Sequence, residues 1–412
     1  MTGPASSGLW SRVRPRGGRG DRSSLGMWFF DIDRVLLLIA FLLIAIGLLA
    51  VAAASPASAA RYSSEKVHFP PLYYFWRQLV WVALSVPVML FVSMLPEATA
   101  RRLALLGAMF FLLCLMLVPV FGVTVNGARR WLGVGFMQFQ PSEFLKPCFV
   151  VGMAWLLSLR EKEPGLPIVP ITMALLGLIG FLLMRQPDFG QTVIFVTIWL
   201  ALMMVSGMSF RTLALLGGAA PFGLVAAYLF YQTARVRIDA YLCGIVKMPH
   251  CLRDDSEPID NFQTEAAHAT ITGGGWFGTG PGDGKMKFGL PEAHTDYVFS
   301  VIGEEFGLIA CGLIALLFVA LVVRVFVKLL DETDPFRMLA AAGLATQFGV
   351  QALISMAVNT GLAPSKGMTL PFISYGGSSM LALSVGMGLL LAFTRRNPFL
   401  VRSPYIVRWN SQ

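Results

Sequence analysis

The sequence predicts an all-α polytopic membrane protein with about ten transmembrane helices. It would be N-in and C-in, with one large periplasmic loop between helices 7 and 8. Three observations carry this. Apolar residues make up 56% of the chain and charged residues 13%, against about a quarter charged in soluble domains, and mean hydropathy is +0.68. Apolar runs of about 20 residues recur, each long enough for a ~30 Å hydrocarbon core. The short alternating segments of a membrane barrel do not occur.

The expected spans lie near 35–54, 75–95, 102–120, 143–159, 166–184, 189–207, 211–231, 297–322, 337–358 and 378–394. The first resembles a signal peptide, because "AAASPASAA" follows it. Its apolar core is longer than the ~7–15 residues of such a peptide, so it is read as an uncleaved helix. With the amino terminus inside, inner segments hold 18 Lys and Arg and outer ones 14. Setting aside the 65-residue connection 232–296, which carries six, leaves 18 against 8. Long loops cross largely regardless of charge, so the short loops decide orientation. Residues 1–34 then form a disordered basic cytoplasmic tail, 35–394 the helical domain and 395–412 a cytoplasmic tail.

The net charge of +9 does not point to nucleic acid. Arg12, Arg14, Arg16, Arg19 and Arg22 crowd a Gly/Ser/Pro-rich start that cannot bury a core, which is ordinary positive-inside signalling. No internal repeat is evident, which weakens an inverted-repeat transporter.

The chemically dense segments all fall on the outer side. Arg129 and Arg130 precede Trp131, Arg185 precedes Asp188, Lys285 and Lys287 follow a glycine cluster, and Lys366 sits near Gly367. Cations on that side call for an anionic ligand such as pyrophosphate, or for pairing with Glu143, Asp188 or lipid headgroups. Trp131 suits an interfacial belt or a sugar platform. "GGGWFGTGPGDGK" fails as a phosphate loop of the Walker type: Gly278 and Gly284 are one step too far apart, and Met286 replaces the metal-holding Ser or Thr.

Asp296 sits where an irregular loop meets a helix, following Glu292 and His294. It is either an N-cap or a base whose proton affinity the membrane surface tunes. Glu304 and Glu305 fall within the expected span, as functional groups or salt-bridge partners. Gln347, Gln351 and Asn359 share a helical face suited to interhelical hydrogen bonds. Cys114, Cys148 and Cys311 read as packing. Cys243 and Cys251 flank an outer segment and suit a disulfide; a metal site with His250 lacks a fourth ligand.

"NGARRWL", "QPSEFLK", "QPDFGQT", "LPEAHTDYVFSVIGEEFG" and "PFISYGGSS" run in that order from Asn126 to Ser379. Together they closely resemble the SEDS family of cell-wall polymerases (shape, elongation, division and sporulation proteins). "APSKGMTLPFISYGG", with its lysine, looks more like the division branch than the elongation branch. Cys243–Pro258 departs from the family pattern in its length and two cysteines.

The resemblance implies a peptidoglycan glycosyltransferase that polymerises lipid II at the outer face of the bacterial inner membrane during cell division. It puts the essential aspartate at Asp296, and Arg129, Arg130, Trp131, Lys366, Glu292, His294 and Ser378 in substrate binding. It also implies a class B penicillin-binding protein (an FtsI-type transpeptidase) and other divisome proteins as partners. The chemistry suits the residues: a base deprotonates the acceptor sugar hydroxyl, and undecaprenyl pyrophosphate leaves with inversion if cations meet its charge. A divalent cation, magnesium or manganese, is compatible with that scheme. The rival readings are a lipid II flippase, an elongation-type polymerase and a divisome scaffold.

Overall fold

The computed structural model describes residues 24–63, 68–125, 128–133, 138–160, 162–163, 165–231, 235–236, 238–239, 242, 262–364 and 367–395. Helices cover all ten predicted segments: α2 (Arg34–Tyr62), α3 (Tyr73–Met94), α4 (Glu97–Phe121), α5 (Pro141–Ser158), α6 (Ile168–Arg185), α7 (Phe189–Val205), α8 (Phe210–Phe230), α10 (Val298–Leu329), α11 (Pro335–Asn359) and α12 (Gly377–Phe393). Of these, α2, α3, α4, α6, α10 and α11 are long and apolar enough to cross a membrane; α7 and α12 are shorter apolar helices of 17 residues.

Local chemistry sets the helix starts. Asp33 caps α2, accepting from Val35 N at 2.9 Å and Leu36 N at 3.2 Å. Asp334 caps α11 in the same way, with Pro335 at the first helical position, where a missing N–H costs nothing. Asp33 also takes Arg324 at 3.1 Å and Lys328 at 2.7 Å, tying the start of α2 to the end of α10.

Three findings differ from the sequence expectation. Ser24–Asp31, placed in the tail, forms a short helix, α1. Its Trp28 indole donates to Ser93 at 2.9 Å, so an apolar turn docks where a solvated tail was expected. Second, the all-α description omits a hairpin: β1 (Val123–Val125) pairs antiparallel with β2 (Ala128–Trp131). Third, α10 breaks at Gly307, at φ 81° and ψ 173°. A side chain there would strike the backbone of Trp276 and Gly278, so only glycine fits.

That break changes the reading of Glu304 and Glu305. Gly307–Leu329 comprises 23 residues, about 34 Å of helix and enough to span by itself. Both carboxylates lie before it, on a segment packed against the glycine-rich loop that follows α9 (Phe262–Gly273). Glu304 accepts from Met286 N at 2.6 Å and Lys287 N at 2.9 Å. Glu305 is ion-paired with Lys287, whose ammonium also reaches Ala53 O at 2.9 Å. These two acids and Lys287 therefore hold the loop in place.

The core is built around α5, α11 and α12, with α3 and α4 packed outside. At Gly388 of α12 a Cβ would lie 2.7 Å from Met89 O and 2.8 Å from Val92 Cβ, so α3 and α12 meet nearly backbone to backbone. Gly388→Leu is expected to force them apart at a cost of about 1–3 kcal/mol. A thermal melt in detergent should show a clearly lowered midpoint; an unchanged midpoint would mean that this contact does not organise the bundle.

Candidate active site

The loop-rich end of the bundle gathers the end of α2, the start of α3, residues 290–297, the end of α11 and residues 367–376. Asp296 lies here, half-buried, just before α10. The helix is capped from Tyr297 with no side-chain cap bond, so the N-cap reading of Asp296 does not hold. Its backbone carbonyl accepts from Asn359 Nδ2 at 2.9 Å. Asn359 Oδ1 in turn takes Ser300 N and Ser300 Oγ, each at 3.0 Å. Gly367 packs against the carboxylate, with Asp296 Oδ2 only 2.9 Å from where a Cβ would stand. Lys366 lies outside the described residues, as do Cys243 and Cys251.

Glu292 and His294 shape the turn that carries Asp296. Glu292 holds a left-handed φ of 52°, uncommon for a residue with a side chain. Its carboxylate accepts from the Tyr62 hydroxyl and from Thr295 Oγ1, each at 2.7 Å. His294, 4% exposed, is enclosed by Tyr74, Tyr375 and Tyr62, with ring centroids at 4.1, 5.1 and 6.2 Å. Its carbonyl accepts from Tyr375 N at 2.9 Å, and its Nδ1 has no described partner. Burial lowers its pKa from 6.5 to about 4; Glu292 pulls it up and Arg77 pushes it down.

The hairpin residues are placed differently. Arg129 is exposed and donates to Thr124 Oγ1 at 3.2 Å. Arg130 binds the carbonyls of Gln186 at 3.1 Å and Pro187 at 2.5 Å, with Asp188 at 3.9 Å. It thus holds the α6–α7 connection. Trp131 is half-buried at the end of β2, and Ser378 is buried at the start of α12 with its hydroxyl unpartnered. Among the described residues, no three His, Cys, Asp or Glu gather to hold a metal ion.

Between hairpin and Asp296 loop runs a buried polar chain; sequence reasoning named its Glu143, Asp188 and Gln351 but missed Lys146, which joins Glu143 to Gln351. Lys146, wholly buried, pairs with Glu143 at 2.8 Å and donates to Gln351 at 2.8 Å. Glu143 also takes Gln191 at 2.6 Å and Ser379 at 3.3 Å. Gln351 continues to Thr369 O at 3.0 Å, two residues from Gly367. At the other end Asp188 caps α7 through Gln191 N at 3.3 Å and takes Gln140 at 3.2 Å. The available signal was a lysine three residues after a glutamate in an apolar run. Tyr62, Tyr74, Tyr375 and Arg77 were missed as well; helical spacing links Tyr74 to Arg77, but nothing in the spacing brings Tyr62 or Tyr375 to them.

Fold and site together define a multi-pass membrane protein with a carboxylate-centred polar site at one end of its helices. More particularly, the chain belongs to the FtsW/RodA/SpoVE family of cell cycle proteins, whose model matches residues 33–398. It is 38% identical over 381 residues to "Probable peptidoglycan glycosyltransferase FtsW" of Caulobacter vibrioides (strain NA1000 / CB15N), covering 92% of this chain and 93% of that one. One similar solved chain comes from work on structural coordination of polymerization and crosslinking by a peptidoglycan synthase complex. The TM-score is 0.67 at 28% identity, over 88% of this chain and 97% of that one. Another is the rod shape determining protein RodA of Thermus thermophilus, with TM-score 0.61 and 25% identity over 88% and 96%.

Two outcomes follow from this geometry. Lys146→Met leaves Glu143 buried and unpaired, an expected loss of about 3–5 kcal/mol, whereas Glu143→Gln with Lys146→Met should recover much of it. Melting midpoints in detergent compare the two; equal losses would show the pair to be uncoupled. His294 is held neutral when folded and protonates near 6.5 when unfolded, so the unfolded chain binds the extra proton between those values. Its contribution to stability is full above about pH 6.5 and falls as pH drops towards 4. In His294→Gln that part of the pH dependence of the melt should disappear.

Proposed function

We propose that this chain is a division-type peptidoglycan glycosyltransferase, polymerising lipid II into glycan strands at the outer face of the bacterial inner membrane, at the septum. The names of its relatives support this activity. The observation that carries the mechanism is Asp296: a half-buried carboxylate just before α10, on a turn locked by Asn359, Glu292 and His294. In this reading ten helices cross the membrane with both termini inside, and the loop-rich end faces outward.

Asp296 takes the proton from the acceptor sugar hydroxyl as its oxygen attacks the anomeric carbon. The new glycosidic C–O bond forms as the bond to undecaprenyl pyrophosphate breaks, with inversion. The leaving group departs as an anion, so a second carboxylic acid of the glycosidase kind is unnecessary. From the family resemblance, Lys366 and Arg129 would meet that charge; Arg130 would reach it only by releasing the Gln186 and Pro187 carbonyls. Glu292 and His294 hold the turn, and Trp131 and Ser378 border the substrate. Were a magnesium or manganese ion to bind, Asp296 would be the carboxylate to hold it, and the ion would neutralise pyrophosphate charge. A class B penicillin-binding protein would crosslink the strands, in keeping with the synthase complex to which the fold is similar.

Asp296→Asn, purified and supplied with lipid II and the partner transpeptidase, should lose polymerisation by about 10²–10⁴-fold. Glycan strands on a gel decide it. Strands made at the wild-type rate would remove Asp296 from the chemistry. No strands from the wild type, together with lipid II movement across vesicles, would put a flippase in its place.

A further inference from the structure

Among the described cations of the loop-rich end, Arg77 stands out as half-buried without a described carboxylate partner, while Arg185 and Lys285 are exposed. Lys146 and Lys287 are ion-paired, and Arg130 is held by two carbonyls and Asp188. Arg129 and Arg61 donate to uncharged oxygens in exposed settings. Arg77 is half-buried, near the start of α3. It pairs with no carboxylate among the described residues, and its described hydrogen bond is a long one, 3.4 Å to the Tyr73 hydroxyl. Its guanidinium lies 5.6 Å from the Tyr73 ring centroid. Five N–H donors in a planar fork are therefore largely unspent.

Arg77 is also next to the reacting end. Tyr73 and Tyr74 precede it by four and three residues, which puts all three on one helical face. Tyr74 packs on His294 at 4.1 Å and on Tyr375 at 5.5 Å. The following residue, Gln78, is wholly buried and bridges Ser374 O and Gly376 N, each at 3.4 Å. The same turn of α3 thus forms a wall against both loops that surround Asp296. Beside Arg77, at one residue before and three and seven after it, α3 shows an apolar stripe, Trp76, Val80 and Leu84, exposed by 59%, 60% and 55%. A guanidinium at the top of a lipid-facing stripe and beside a polar pocket is placed for a phosphate whose tail stays in the bilayer.

We propose that Arg77 binds the pyrophosphate of a polyprenyl-pyrophosphate-linked sugar, with the prenyl chain running down the Trp76–Val80–Leu84 face. This deepens the glycosyltransferase reading and rests on it for the identity of the ligand. A planar fork matches a diphosphate in two-point fashion, which a lysine cannot reproduce.

Farnesyl pyrophosphate, a soluble probe, tests the site in the purified full-length chain, with farnesol as the uncharged control. Arg77→Gln should weaken farnesyl pyrophosphate tenfold or more and leave farnesol unchanged, at a wild-type melting midpoint. Arg77→Lys should lose less. Binding within twofold of wild type, or an equal loss for farnesol, would overturn the assignment. Should Arg77→Gln not fold, phenylglyoxal modification of the wild type read by mass spectrometry replaces it: farnesyl pyrophosphate must shield Arg77, and unshielded modification refutes the site. Polymerisation by Asp296→Asn reads the base and farnesyl pyrophosphate binding by Arg77→Gln reads the phosphate site, so a failed base assignment and a failed phosphate site give different results. In polymerisation, shorter glycans from Arg77→Gln assign the site to the growing strand. A raised KM with unchanged length assigns it to the incoming monomer.

Discussion

Hydrocarbon offers a buried charge no water, so the ion pair of Glu143 and Lys146 dictates much of what surrounds it. Taking two ions out of water costs several kcal/mol each even after relaxation, and their attraction repays this only when the remaining donors and acceptors are also met. Gln191 from α7, Gln351 from α11 and Ser379 from α12 meet them. Each of those groups must come from a different helix, so satisfying α5 fixes the relative positions of three others. The apolar packing of the core is non-directional and would tolerate other rotations about the helix axes. The polar chain selects one.

That selection reaches the site because the chain does not end in the core. Gln351 holds Thr369 O, and two residues earlier Gly367 packs on Asp296. From the same helix Asn359 ties the Asp296 carbonyl to the first turn of α10. One helix, α11, therefore positions both the loop behind the carboxylate and the turn bearing it. The left-handed Glu292 belongs to the same account. Such a conformation costs about 1–3 kcal/mol and persists where surroundings over-determine it; two hydrogen bonds to its carboxylate and the neutral, buried His294 beside it do so.

Sequence alone revealed whatever depends on composition along the chain. Ten apolar runs became ten helices among the described residues, because hydrophobic length is a local property. Asp296 drew notice because a carboxylate at the mouth of an apolar run is costly without a task, and the structure places it half-buried just before α10. What depends on two distant segments was not legible. Lys146 looks like one more charge at a span edge until Gln351, 205 positions away, supplies its partner. The hairpin Val123–Trp131 is too short for periodicity to register. The break at Gly307 was hidden by apolar residues continuing on both sides, and only the glycine loop packed against it requires the positive φ.

The break also bears on how a lipid-tethered sugar meets its base. In the proposed reaction the anomeric carbon stands away from the bilayer by the length of a pyrophosphate, so a carboxylate level with the acyl chains could not reach it. A helix entering the membrane straight from Asp296 would leave little room for adjustment. Instead Gly307–Leu329 is long enough to span by itself, and Val298–Phe306 precedes it as a separate helical piece, up to about 14 Å long. Lys287, Glu304 and Glu305 clamp that piece to the glycine loop. In the proposed reaction that clamp would carry the carboxylate on a rigid stand outside the hydrocarbon, with the helix that supports it anchored within.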